Sequence, residues 1–166
     1  MRGLVLFVAG ILVGTAVQIG VVQGQSAQPA VRLNHVAITV ANINEALAWY
    51  RDKMGFQEVI RNVSPQGELR SAYIQVSRDT FIEIQQANAQ QQPGLNHFGL
   101  ETDDIKATAA TFRQRGATVS EPSGTPSAFS GGFLANVTDP NSGGRIELSE
   151  QPAATGKLRK ASESWK

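Results

Sequence analysis

The chain has 166 residues, 41% of them hydrophobic and 17% charged, with 15 basic side chains against 14 acidic ones. That composition suits one globular domain and excludes an intrinsically disordered chain. It also excludes a nucleic-acid footprint, since the body of the sequence holds no cluster of Lys and Arg interleaved with aromatics. The absence of cysteine excludes disulfides, thiolate metal sites and a cysteine nucleophile.

The first two dozen residues stand apart. Arg2 precedes an apolar run from Leu4 to Val22, broken only by Gly, Thr15 and Gln18, with Gly24 close behind. A basic start, an apolar centre and a small residue at the end predict an export signal over residues 1–24, either cleaved or kept as a membrane anchor. The expected location is therefore extracytoplasmic, periplasmic or secreted. Cleavage would remove one charge, Arg2, and leave a formally neutral chain. Residues 25–30 read as a short polar tether.

Val31 to Val40 alternates with a period of two, which predicts a strand with Leu33, His35, Ala37 and Thr39 on one face and Val36, Ile38 and Val40 on the other. Asn42 or Asn44 then caps a helix running to about Met54, ended by Gly55. Three strands follow, roughly 57–63, 68–76 and 80–86, separated by the turns Ser64-Pro65-Gln66-Gly67 and Ser77-Arg78-Asp79. The Gln-rich patch 85–92 reads as a linker before Pro93-Gly94. A second pass in the same order begins with a strand at 96–102, a helix from about Ile105 to Arg115 capped by Asp103 or Asp104, and Gly116. Strands at 117–121, 131–138 and 144–149 complete it, with a Pro/Gly/Ser-rich loop at 122–130. The fold class is therefore α+β, built from two βαβββ modules, 31–87 and 95–150, in one domain spanning 31–150. Residues 151–166, with Lys157, Arg159, Lys160 and Lys166, are expected to form a flexible tail.

The strongest internal echo is Leu33-Asn34-His35 against Leu95-Asn96-His97, which contains both histidines of the protein. Each is followed at similar distance by a carboxylate between aliphatic residues, Glu83 in Phe81-Ile82-Glu83-Ile84 and Glu147 in Arg145-Ile146-Glu147-Leu148. Strand parity sets Phe81, Glu83 and Gln85 on one face, Arg145, Glu147 and Ser149 likewise, and His97 with Gly99 and Glu101. If the strands curl into a bowl, two imidazoles and two carboxylates converge inside it. Mixed N and O donors without thiolate suit a divalent ion such as Ni, Zn, Mn, Fe or Co, with positions left for a small-molecule substrate.

Leu-Asn-His-Val-Ala-Ile-Thr-Val at 33–40, Trp49-Tyr50-Arg51 with Met54-Gly55-Phe56, and Asp139-Pro140-Asn141 leading to Arg145-Ile146-Glu147-Leu148 together resemble the vicinal oxygen chelate superfamily. This superfamily includes glyoxalase I, bleomycin-resistance proteins, type I extradiol dioxygenases and methylmalonyl-CoA epimerase. The resemblance implies an eight-stranded, incompletely closed barrel around a metal. Its ligand pattern is most similar to bacterial glyoxalase I. That implies His35, Glu83, His97 and Glu147 as metal ligands, with Glu147, or Glu83, as the catalytic base of a lyase or isomerase. Thr39 and Ala87 stand where glyoxalases hold glutathione with an arginine and an asparagine, so the resemblance does not extend to a glutathione-bound substrate. An extradiol dioxygenase using His35, His97 and Glu147 is the first alternative, and a non-catalytic small-molecule binding protein the second. Pairing of modules within one chain or between chains of a homodimer is open at this point.

Overall fold

A computed structural model describes residues 30–166, so the expected export segment lies outside the described residues. Both modules form with the anticipated element order. The first contains β1 (Val31–Val40), α1 (Ile43–Met54), β2 (Gln57–Val63), β3 (Leu69–Ser77) and β4 (Thr80–Gln86). The second contains β5 (Gly94–Thr102), α2 (Ile105–Gln114), β6 (Thr118–Val119), β7 (Phe133–Thr138) and β8 (Arg145–Glu150). Among the described residues, no helix is long and apolar enough to cross a membrane.

The eight strands make one mixed sheet in the order β2-β3-β4-β1-β5-β8-β7-β6, unclosed between β2 and β6. Its centre is the antiparallel pairing of β1 with β5, so the two modules join within a single chain. On either side of that seam the pairing is parallel, β1 with β4 and β5 with β8. The glutamate-bearing strand of each module thus lies next to its histidine-bearing strand.

The helices cover the outer face. Asn42 caps α1 by accepting from the amides of Asn44 and Glu45, and Gly55 ends it at φ 72°, where a side chain would be strained. Asp104 does the same for α2 by accepting from Ala107 at 2.9 Å. The last residue of the partnering strand supports each helix start as well: Gln86 Oε1 accepts from the Ile43 amide, and Glu150 Oε2 from the Ile105 amide, both at 3.0 Å. Gln86 lies in the stretch expected to be a linker, so that part of the linker assignment is corrected. Ile43 and Leu47 pack on Ala72, Ile74 and Ile84, while Ile105 packs on Ala135, Val137 and Leu148. These two apolar layers anchor each helix to its own module.

The expected flexible tail is corrected too. Lys157–Glu163 form a helix, α3, whose Leu158 and Ala161 stand one turn apart and are buried against Ile60, Tyr73 and Phe81. Its basic residues face outward from an apolar stripe too short to register as a periodic signal. Phe129, from the long loop of module two, stacks on Tyr73 with ring centroids 5.0 Å apart. The tail and the loop together fill the module-one side of the barrel. We expect Leu158→Ala to lower unfolding free energy by about 2–4 kcal/mol, the usual cost of a cavity at a fully buried leucine, in urea unfolding followed by near-ultraviolet circular dichroism. A change of a few tenths would mean that α3 does not seal the barrel.

Candidate metal centre

His35 and His97 come from the two central strands, and the ladder between them is irregular at two places. Leu33 opposes Leu100 and His35 opposes Gly99, so Asn34 is an extra residue on β1. Ala37 opposes His97 and Ile38 opposes Leu95, so Asn96 is an extra residue on β5. Both asparagines of the repeated Leu-Asn-His are therefore β-bulge residues, and the bulges turn them toward the interior beside their histidines. Strict alternation put Leu33 on the histidine face; the bulge leaves it 51% exposed, while Asn34 is buried.

Small residues make the crossing possible. Ala37 is the ladder partner of His97 and Gly99 that of His35. A β-carbon on Gly99 would fall within the His35 ring, so only glycine fits there. Each small residue lies two positions after its own module's histidine and makes room for the other module's ring. This pattern is readable in the sequence once the crossing is known.

The four expected ligands converge. The two Nε2 atoms are 3.1 Å apart. Glu83 Oε2 lies 3.7 Å from each of them, and the Glu147 carboxylate 3.8 Å from each. Donor atoms of His35, Glu83 and His97 all lie within 4.8 Å of one another, close enough to hold one metal ion.

Which ring nitrogen carries the proton follows from the surrounding amides. Asn34 Nδ2 donates to Glu101 Oε2 at 2.7 Å, and Glu101 is held in turn by Arg32 at 2.6 Å. Asn34 Oδ1 is thereby left facing His35 Nδ1 at 3.0 Å. Gln85 Nε2 donates to Glu83 Oε1 at 2.7 Å, its Oε1 accepts from Asn96 Nδ2 at 3.1 Å, and Asn96 Oδ1 faces His97 Nδ1 at 2.8 Å. Thr39 Oγ1 also accepts from Asn96 at 3.3 Å. Asn34 thereby sets His35 as the Nδ1–H tautomer with its lone pair at Nε2, whereas His97 Nδ1 lies between Asn96 Oδ1 and Arg145 Nη2, which is 2.5 Å away.

Burial first, then the charge of Arg145, pushes His35 down to about 4 and His97 to about 3, so neither takes a second proton near neutrality. Burial first, then the neighbouring Glu83, pushes Glu147 up to about 7. Burial also raises Glu83, against hydrogen bonds from Gln85 and Tyr73 that favour its charge. His35, Glu83 and His97 offer two imidazoles and a carboxylate with no thiolate, a donor set that suits a divalent ion, and the Glu147 carboxylate lies beside them.

Sequence reasoning gave no role to Asn34, Asn96, Gln85 or Arg145, and offered Tyr73 only as a cavity candidate by strand parity. Tyr73 is buried and donates to Glu83 Oε2 at 2.9 Å, and its hydroxyl is pushed well above the usual range by burial and by Glu83. It shares strand parity with Ser71 and Gln75, which was its only sequence signal. Arg145 Nη1 reaches Glu147 at 3.3 Å, and Nη2 lies 2.5 Å from His97 Nδ1 and 3.2 Å from its Nε2.

Residues 32–148 match the profile of the Glyoxalase/Bleomycin resistance protein/Dioxygenase superfamily. The chain belongs to this family. No curated protein matches it by sequence. Among solved structures it is similar to methylmalonyl-CoA epimerase from Mycobacterium tuberculosis, with 21% identity over 79% of this chain and 95% of that one and a TM-score of 0.65. It is also similar to a hypothetical protein from Bacillus halodurans C-125, at 19% identity over 74% and 96% of the two chains with a TM-score of 0.61. A Streptomyces coelicolor methylmalonyl-CoA epimerase variant in complex with 2-nitronate-propionyl-CoA gives 21% identity, 75% and 96% coverage and a TM-score of 0.59. At these identities the likeness establishes the shared fold.

Nitrogen-15 NMR of histidine-labelled protein at pH 7 should show His35 as the Nδ1–H tautomer. Asn34→Ala should release His35 to a tautomer mixture without disturbing His97. An Nε2–H signal from His35 in the unaltered protein would contradict the network.

Proposed function

We propose that this protein is a metal-dependent enzyme of glyoxalase type, moving a proton at or between carbons adjacent to two neighbouring oxygens of a small substrate. The observation that carries this reading is the convergence of His35, Glu83 and His97 donor atoms within 4.8 Å of one another, with the Glu147 carboxylate 3.8 Å from both Nε2 atoms. An ion of the Ni, Zn, Mn, Fe or Co class held there would polarise the substrate oxygens and stabilise negative charge as a C–H proton leaves.

The chain's own residues divide the remaining work. Glu83 receives the Tyr73 hydroxyl on one oxygen and the Gln85 amide on the other, at 2.9 and 2.7 Å. Those bonds hold it as a ligand. Glu147 receives only Arg145, at 3.3 Å, so it is the carboxylate free to swing toward a substrate carbon, take the proton and return it. Asn34 keeps the His35 Nε2 lone pair toward the ion through substrate binding and release. A dioxygenase triad of His35, His97 and Glu147 would leave the elaborate support of Glu83 without purpose, and it would lack a further histidine for proton transfer. A role in simple sequestration would not need two carboxylates held differently.

Purified protein should bind about one divalent ion per chain, lost in His35→Ala and His97→Ala. In D2O the loaded protein should exchange protons next to the carbonyl of small 2-hydroxy carbonyl compounds, followed by NMR. Glu147→Gln should keep the metal and slow exchange roughly 10²- to 10⁴-fold, the range for loss of a general base. Glu83→Gln should lose metal and activity together. Oxygen consumption with catechols and no proton exchange would favour the dioxygenase reading instead.

We also infer that the enzyme works outside the cytoplasm, on the support of Arg2 and the apolar run Leu4 to Val22. N-terminal sequencing of protein recovered from its native host should begin near Gln25; an intact Met1 on soluble cytoplasmic protein would overturn this.

A further inference from the structure

The bulges that turn Asn34 and Asn96 inward turn the leucine before each of them outward. Leu33 is 51% exposed and Leu95 75%, although both belong to the repeated Leu-Asn-His. The residue after each histidine, Val36 or Phe98, also faces outward, and these two are ladder partners at the centre of the seam. The helices leave this strip uncovered. The apolar layer under α1 reaches only as far as Ile38 and that under α2 only as far as Leu100; neither includes Leu33, Val36, Leu95 or Phe98. The metal centre uses none of these four side chains.

The strip is apolar along its length, with the ladder pairs Leu33–Leu100, Val36–Phe98 and Ile38–Leu95. Its exposed part is on the order of 400 Å², a size that marks a contact surface and about half of the roughly 800 Å² that each partner buries in a standard complex. The nearest charges form a rim: at the Leu33 end Arg32 and Asp103 pair at 3.3 Å, both well exposed. A charge-free centre inside a polar rim is the anatomy of a protein–protein contact. The two sides of the strip can supply the remaining area, and they differ in shape. On α1, Asn44, Ala48 and Arg51 line a cleft toward β2, so Trp49 lies on the other flank, beside the seam, and is 52% exposed. On α2, Thr111 stands seven residues after Asp104, as Trp49 does after Asn42. With Thr102, Ala107 and Thr108 it lines a hollow of about 250 Å³ between α2 and the seam. One side raises an indole where the other is recessed.

We propose that the outer face of the β1–β5 seam is a homodimer interface, on which a second copy lies with its β1 over β5 and its α1 over α2, so that the Trp49 indole of each copy enters the hollow of the other. A two-fold axis along the strands satisfies that contact twice. The related halves of the strip, Leu33 with Leu95 and Val36 with Phe98, then meet apolar surface of their own kind. The interface lies on the helix-bearing side of the sheet and leaves the concave face uncovered, so the proposal stands independently of the metal reading.

The test is sedimentation equilibrium of protein expressed from its full coding sequence, which should give twice the mass of one chain at high micromolar concentration. Leu95→Glu should raise the dissociation constant about 30-fold or more, the scale of a hot-spot residue, and Trp49→Ala should raise it as well. Both side chains are more than half exposed, so near-ultraviolet circular dichroism of Leu95→Glu should match that of the unaltered protein. Val63, 46% exposed on the edge strand β2, is three strands from β1, and Val63→Glu should leave the dimer intact. The proposal is overturned if the unaltered protein is monomeric, if Leu95→Glu or Trp49→Ala associates as tightly as the unaltered protein, or if Val63→Glu weakens the dimer as much as Leu95→Glu does. A monomer that co-sediments with phosphatidylglycerol vesicles would assign the strip to a lipid surface instead.

Discussion

The central constraint on this fold is that two imidazoles and two carboxylates meet at one place inside a protein. Left alone, the rings would rotate to place an N–H between the two Nε2 atoms, 3.1 Å apart. What prevents this is the pair of bulged asparagines, each fixed by an acceptor on its far side: Glu101 for Asn34, Gln85 for Asn96. Reversal of either amide would set its oxygen against a neighbouring carboxylate or amide oxygen, an arrangement costing on the order of 1–3 kcal/mol per unsatisfied group. The ligand geometry is therefore built by hydrogen bonds one layer out, and those exist because the β1–β5 seam carries two bulges in place of a regular ladder.

Duplication explains why the constraint can be met cheaply. Each module contributes a histidine, an asparagine before it, a small residue two positions after it, and a glutamate on the neighbouring parallel strand. Each also closes with a residue that supports its own helix start, Gln86 or Glu150. Crossing two such units antiparallel lets the small residue of one accept the ring of the other, as Gly99 does for His35. Divergence then acts on the copies separately. Tyr73 and Gln85 immobilise Glu83, while Glu147 keeps a single long contact to Arg145. Two chemically identical ligands acquire different freedom from their neighbours.

Much of this was legible in the sequence. The His and Glu positions, the repeated element order and the caps at Asn42 and Asp104 were visible because they rest on local rules: alternation, capping and internal repetition. The partners of the histidines were not. A bulge shifts parity by one residue, so Leu33 was assigned to the face that Asn34 and His35 occupy. Gln85 and Gln86 were placed at the end of the 80–86 strand and counted in the low-complexity patch as well, which hid that one orients Asn96 and the other supports α1. The tail was misjudged because a helix of seven residues with two apolar positions carries almost no periodic signal, and its stability comes from Tyr73 and Phe81, remote in sequence.

That tail also makes the two flanks of the barrel unlike. A duplicated bowl has two equivalent flanks, and a pseudo-symmetric site could be approached from either. Leu158, Phe129 and Phe81 close the flank of module one with apolar side chains. At the matching flank of module two, among the described residues, Asn136 is exposed and the Arg145 side chain is 39% exposed. If the protein is the metal-dependent enzyme proposed, substrate would approach past Arg145 and Glu147, with the less restrained carboxylate toward that flank and the one held as a ligand against the seal. The proposed division of labour between the glutamates and the approach to the site would then share one cause, the packing of a C-terminal helix on only one of two related modules.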